Sequence, residues 1–176
     1  MRCPKTIHAQ AGFSLFELLL VAAIAGLLAL SAMPSLSRWQ ANQRAHTTLV
    51  ALADDIAHAR RVSNSAASGL VLCPSANGDQ CDRTRDYSGG WIVFRVADTS
   101  NTPTRDLREP VLSRGVPAAG VRLIANRTVF RFTNATRRST NGTFTACDGA
   151  GRVVAKRLVV SYSGRARFAT AADSSC

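Results

Sequence analysis

Two arginines, Arg165 and Arg167, follow a glycine in the run Gly164-Arg165-Ala166-Arg167 of this 176-residue chain. In an extended chain, residues two apart project from the same face, so both guanidiniums can reach one anionic ridge. Arginine suits phosphate because its planar fork donates two parallel hydrogen bonds. Gly164 would let the backbone come close to such a ligand. Secondary candidates are Lys156 and Arg157 on a preceding strand-like run, and Arg137 and Arg138 in a loop-like one. Phe168 could stack on a base, although a core or surface place suits it better. The charge is one-sided. Residues 13–110 hold nine basic and nine acidic residues, whereas residues 111–176 hold eleven and two. Almost the whole net charge of +11 therefore sits in the last third, which points to a polyanionic partner.

Other chemistry is sparse. His46 and His58 stand twelve residues apart with no acid or cysteine cluster, and Asp54-Asp55 reads as a solvated helix face. There is no glycine-rich phosphate loop before a lysine, so no enzyme, no metal and no cofactor are expected. Cys73, Cys81, Cys147 and Cys176 form an even set, with Cys3 apart. They make no C-x-x-C pair and have no histidine at ligand spacing, which argues against zinc. Four cysteines allow three pairings. The one that closes the polar loop Pro74–Gln80 joins Cys73 to Cys81 and leaves Cys147 for Cys176, implying an oxidising compartment.

The elements that position these groups are legible in outline. Leu18–Ser37 is an uncharged run of 20 residues preceded by Glu17, long enough to cross a hydrocarbon core of ~30 Å as a helix. Arg2 and Lys5 precede it, so the N-terminus is expected on the cytoplasmic side. Beyond Arg38, the residues Ala45, Leu49, Leu52, Ile56, Ala59 and Val62 recur at spacings of three and four, one face of an amphipathic helix. The spacing predicts a helix from about Phe13 to Val62, with Pro34 kinking it or removing one hydrogen bond. Short β-branched runs follow at Leu70–Cys73, Trp91–Ala97, Val121–Ala125, Thr128–Phe132, Thr143–Cys147 and Lys156–Tyr162. Tyr87–Gly90 and Asp98–Pro110 read as surface loops. The expected fold is α+β, a long helix laid on one or two antiparallel sheets.

Gly12-Phe13-Ser14-Leu15-Phe16-Glu17 followed by the apolar run resembles the class III signal of type IV pilins and pseudopilins. The resemblance implies cleavage by a prepilin peptidase after Gly12 and methylation of Phe13. It implies a role for Glu17 as well, neutralising the α-amine of Phe13 on a neighbouring subunit during assembly, since an unpaired carboxylate in hydrocarbon is costly. The expected organisation is a leader over 1–12, a transmembrane or filament-core helix over 13–37, and a periplasmic globular pilin domain over 38–176. Leu52–Arg60, Val71–Ser75, Gly78, Cys81 and Gly90–Phe94 resemble the GspH/FimT family of minor pilins. Gly164–Arg167 resembles the GRxR motif of its DNA-binding FimT-like members. The resemblance implies an inner-membrane protein that joins a type IV pilus with other pilins and binds double-stranded DNA without sequence preference, for uptake in natural transformation. The alternative arm is a GspH-like minor pseudopilin of the type II secretion system.

Overall fold

The computed structural model describes residues 14–65, 69–96, 105, 110–133, 139–150 and 155–170. Among the described residues one helix, α1 (Leu15–Ser65), is followed by eight strands: β1 (Gly69–Pro74), β2 (Trp91–Val96), β3 (Val111–Gly115), β4 (Val121–Ala125), β5 (Phe130–Phe132), β6 (Gly142–Asp148), β7 (Lys156–Val160) and β8 (Ala166–Thr170). The chain divides into two units, residues 1–37 and 38–176.

In the first unit, Ser14 caps the helix. Its carbonyl accepts from the Leu18 amide and its hydroxyl accepts from the Glu17 amide at 3.3 Å. Glu17 stands three residues after the cap, the acidic position of a capping box, where a carboxylate also complements the positive end of the helix dipole. The apolar side chains that follow, among them Leu18, Leu19, Leu20, Val21, Ile24, Leu27 and Leu28, are all exposed. Pro34 lies within the helix, and its carbonyl accepts a hydrogen bond of 2.9 Å from Ser37 Oγ. Among the described residues no single helix meets the length and apolarity of a membrane span. The segments Leu15–Ala29 and Met33–Ser65 meet them jointly.

The second unit is built around the amphipathic face expected from the sequence. Ala45, Leu49, Leu52, Ile56 and Ala59 are fully buried and Val62 packs at their margin. They share one core with Leu70, Leu72, Trp91 and Val93 from one sheet and with Leu123, Phe144, Leu158 and Val160 from the other. Both sheets have four strands, in the orders β3-β2-β1-β5 and β4-β6-β7-β8, and every pairing is antiparallel. The first sheet is apolar on its far face as well, where Val71, Cys73, Ile92, Phe94 and Val96 cluster with Cys81, Val111 and Val129. The Cys73–Cys81 disulfide forms with a Cα separation of 5.5 Å, as the loop-closing pairing requires. Cys147 is disulfide-bonded too; its expected partner, Cys176, lies outside the described residues.

Three expectations need correcting. Asp55 is not part of a solvated helix face. It is half-buried and accepts hydrogen bonds from Trp91 Nε1 at 2.7 Å and from Ser113 Oγ, fastening α1 to β2 and β3. Tyr87–Gly90 is not a surface loop throughout. Tyr87 is fully buried, its ring packs edge-on against Phe144 at 5.1 Å, and its hydroxyl donates to the Thr128 carbonyl at 3.1 Å. Burial holds its phenol well above the ordinary tyrosine range. Finally, β3 and β8 are additional strands, and β5 is shorter than the run Thr128–Phe132.

Candidate nucleic-acid interface

The Gly164–Arg167 run closes the β7–β8 hairpin. The turn is made by residues 161–164, with the Gly164 amide donating to the Ser161 carbonyl at 2.8 Å and the Ser161 amide donating to the Arg165 carbonyl at 3.0 Å. Gly164 has φ +71°, a left-handed conformation that costs an ordinary L residue ~1–2 kcal/mol. It is also buried. A Cβ there would meet Ser139 Oγ at 3.2 Å, Phe132 Cδ1 at 3.3 Å and Arg60 Cδ at 3.4 Å. On its Cβ side the close approach that this glycine permits is therefore to the protein's own core.

The hairpin is fastened from two sides. Arg60 on α1 donates through Nε to the Ser163 carbonyl at 2.9 Å, and the Ser139 amide donates to the Tyr162 carbonyl at 2.9 Å. A Gly164→Ala chain should lose about 1–2 kcal/mol from the backbone conformation alone. Its thermal midpoint should fall by ~2–4 °C for each kcal/mol in a chain of this size. An unchanged melting curve would contradict the strained turn.

Beyond the turn, Arg165 and Arg167 are exposed and fall on the same side of the extended chain. Neither guanidinium is paired with a carboxylate among the described residues. The β7–β8 register sets Val159 opposite Arg167 and Arg157 opposite Ala169, so Arg157 shares their face. Lys156 does not. It pairs with Ala146 and Thr170, in phase with the buried Leu158, on the opposite face from Arg157. Phe168 pairs with Leu158, likewise away from the arginines, and its half-exposed ring leans on that of His46 at 5.5 Å. Arg137 and Arg138 lie outside the described residues.

The structure thus gathers Arg157, Arg165 and Arg167 on the outer face of the β4-β6-β7-β8 sheet and separates Lys156 from them. One outer-face cation had escaped sequence inspection. Arg122 on β4 is exposed and out of phase with the buried Val121 and Leu123. The alternation along Val121–Ala125 was the signal that could have found it. Arg122 stands near Asp86, whose carboxyl is held below its usual range chiefly by hydrogen bonds from Ser88, with the Arg122 charge adding to the effect.

A long N-terminal helix whose second half lies on two antiparallel sheets is the architecture of a type IV pilin. The family model described as Type II transport protein GspH matches residues 48–164, two thirds of the chain, and the chain belongs to that family of pilin-like structural subunits. The prokaryotic N-terminal methylation motif matches residues 7–33, the mark of a membrane-anchored pilin. Two crystal structures of the type IV minor pilin FimU from Pseudomonas aeruginosa PAO1 share the fold. One has a TM-score of 0.51 at 14% identity over 76% of this chain and 99% of FimU. The other has 0.52 at 16% identity over 79% and 98%. No curated protein matches the chain.

Proposed function

We propose that this chain is a minor pilin of a type IV pilus that captures extracellular double-stranded DNA for uptake in natural transformation. The observation that carries the reading is the outward grouping of Arg157, Arg165 and Arg167 on one sheet face, within a segment that holds eleven basic and two acidic residues. Phosphate contacts of this kind bind any sequence, and their strength falls as salt rises, with a log–log slope of about −0.9 for each phosphate neutralised. The direct test is fluorescence anisotropy of the detergent-solubilised full chain with unrelated duplexes across a salt series. Equal affinity for all of them and a steep salt slope are expected; no binding at low salt would overturn the DNA half of the reading.

The pilus half rests on the N-terminal segment. Cleavage after Gly12 by a prepilin peptidase and methylation of Phe13 would release a helix that carries Glu17 three residues after its cap. In the filament the Glu17 carboxylate would neutralise the α-amine of a neighbouring Phe13, which makes subunit entry depend on that charge. Glu17→Ala should leave the chain in the inner membrane, with its periplasmic domain folded, and remove it from sheared pilus preparations. Normal incorporation would show that the carboxylate acts only as a helix cap. A second reading, a GspH-like pseudopilin of the type II secretion system, is favoured by the description of the matched family. It predicts no DNA affinity and a loss of enzyme export when the gene is deleted.

A further inference from the structure

The outer face of the β4-β6-β7-β8 sheet can be laid out from its registers. Ile124 pairs with Thr145, Thr145 with Arg157 and Arg157 with Ala169, forming one row across the four strands. Thr143, Val159 and Arg167 form the adjacent row. Arg122 stands opposite Cys147, one row to the other side. Every one of these residues alternates with a neighbour directed to the helix-facing core, apart from those beside the edge residue Phe168. Among the described residues that β4, β6, β7 and β8 contribute to the three rows there is no carboxylate; Asp86, bridged to Ile124, stands just past β4.

With strands ~4.8 Å apart and a rise of ~3.3 Å per residue, Arg122 and Arg157 stand about 12 Å apart and Arg157 and Arg167 about 8 Å. Arg165 continues the line by about 7 Å along its strand. Four cations therefore lie on a diagonal of roughly 27 Å, the length of about eight base-pair steps at ~3.4 Å each along a duplex axis. The diagonal borders a shallow cavity of about 330 Å³ lined by Ile124, Ala125, Asn126, Thr143, Thr145 and Arg157. Threonine hydroxyls and an asparagine amide there can donate to phosphate or sugar oxygens.

We infer that one DNA strand crosses the outer face of this sheet along the diagonal Arg165–Arg167–Arg157–Arg122, and that Arg122 is its far phosphate contact. The inference rests on the DNA-capture reading and extends it from the hairpin tip to the whole sheet face. Asp86 stands near Arg122, whose charge adds to the hydrogen bonds that hold its carboxyl below the usual range. Asp86 belongs to the segment preceding β4 and bridges to Ile124, so it extends the Ile124 row by one position past β4, at the sheet edge and off the diagonal itself.

The experiment compares the detergent-solubilised full chain with Arg122→Ala, Arg122→Lys and Arg95→Ala in the same salt series with a fluorescent duplex. Arg95 is exposed on β2 of the other sheet and serves as the control. Removing one phosphate contact should reduce the salt slope by about 0.9 and weaken binding on the order of eightfold at ~0.1 M salt. Arg122→Lys should keep the slope, which separates the charge from any effect on folding, and Arg95→Ala should match the parent. If the parent binds and Arg122→Ala binds equally well with the same slope, the diagonal is wrong and the hairpin alone makes the contact. If Arg122→Lys loses as much slope as Arg122→Ala, the effect is structural and the inference fails. If the parent itself does not bind, the DNA-capture reading falls and takes this inference with it.

Discussion

Replacing Arg165 and Arg167 together by alanine should abolish most of the proposed DNA affinity of the chain while leaving its fold untouched. Both side chains are exposed, and neither contributes a hydrogen bond or ion pair to the described structure, so surface truncation should move stability by no more than ~0.5 kcal/mol. Two lost phosphate contacts correspond to a salt slope shallower by about 1.8 and, at ~0.1 M salt, to a loss on the order of sixtyfold. Circular dichroism and thermal melting check the fold, and anisotropy against salt checks the contacts. A double variant with parental affinity and slope would remove the hairpin from the interface. The same loss for every duplex sequence is part of the expectation, because phosphate contacts carry no base information.

The largest effect on stability is expected at Trp91. Its indole is fully buried and lies across Gly115, where a Cβ would fall 2.2 Å from the ring. Its Nε1 donates to Asp55 on α1. Trp91→Ala removes the packing and empties a cavity, a change that costs about 3–5 kcal/mol in cores. It also withdraws one donor from a half-buried carboxylate. Against a usual total of ~5–15 kcal/mol, the variant should keep only a fraction of the parent's stability or fail to accumulate. Trp91→Phe with Asp55→Asn, measured singly and together by urea denaturation, separates the two contributions. Non-additivity of about 0.5–3 kcal/mol is expected for groups in direct contact. Strict additivity would mean that the hydrogen bond contributes nothing to the seating of α1.

How much of this was legible depended on whether an element has one buried face. The residues Ala45 to Ala59 show a helical period because a sheet pair covers one side of α1 only, and β4, β6 and β7 show their alternation for the same reason. The strands that escaped notice, β3 and β8, are edges of their sheets. Val111–Gly115 is only partly buried, and Ala166–Thr170 mixes an arginine and an exposed phenylalanine, so neither alternates cleanly. Tyr87 misled because its surroundings are turn residues, whereas its own ring is part of the core. Asp55 misled because a carboxylate beside another, on a helix, usually faces water; its partners come from strands 36 and 58 residues further on.

The candidate interface divides along the same line. Arg165 and Arg167 could be paired from their spacing alone. That Arg157 joins them and Lys156 does not is a matter of strand phase, fixed by Leu158 and Val160 facing the core. At Gly164 the freedom of the backbone serves the turn beneath the arginines. Arg122 lies over thirty residues upstream of Arg157 and joins it only through the pairing of β4 with β6 and of β6 with β7.

The bond from Arg60 to the Ser163 carbonyl has a mechanical side. An outermost strand tugged at its tip is normally peeled away rung by rung, because each ladder bond is strained in turn. Here the tip is moored to α1 through the Arg60 side chain, so tension arriving at Arg165 would be shared with α1 before the first rung between β7 and β8 is stressed. A tether built this way would suit the proposed capture role, in which a bound polyanion pulls on the hairpin.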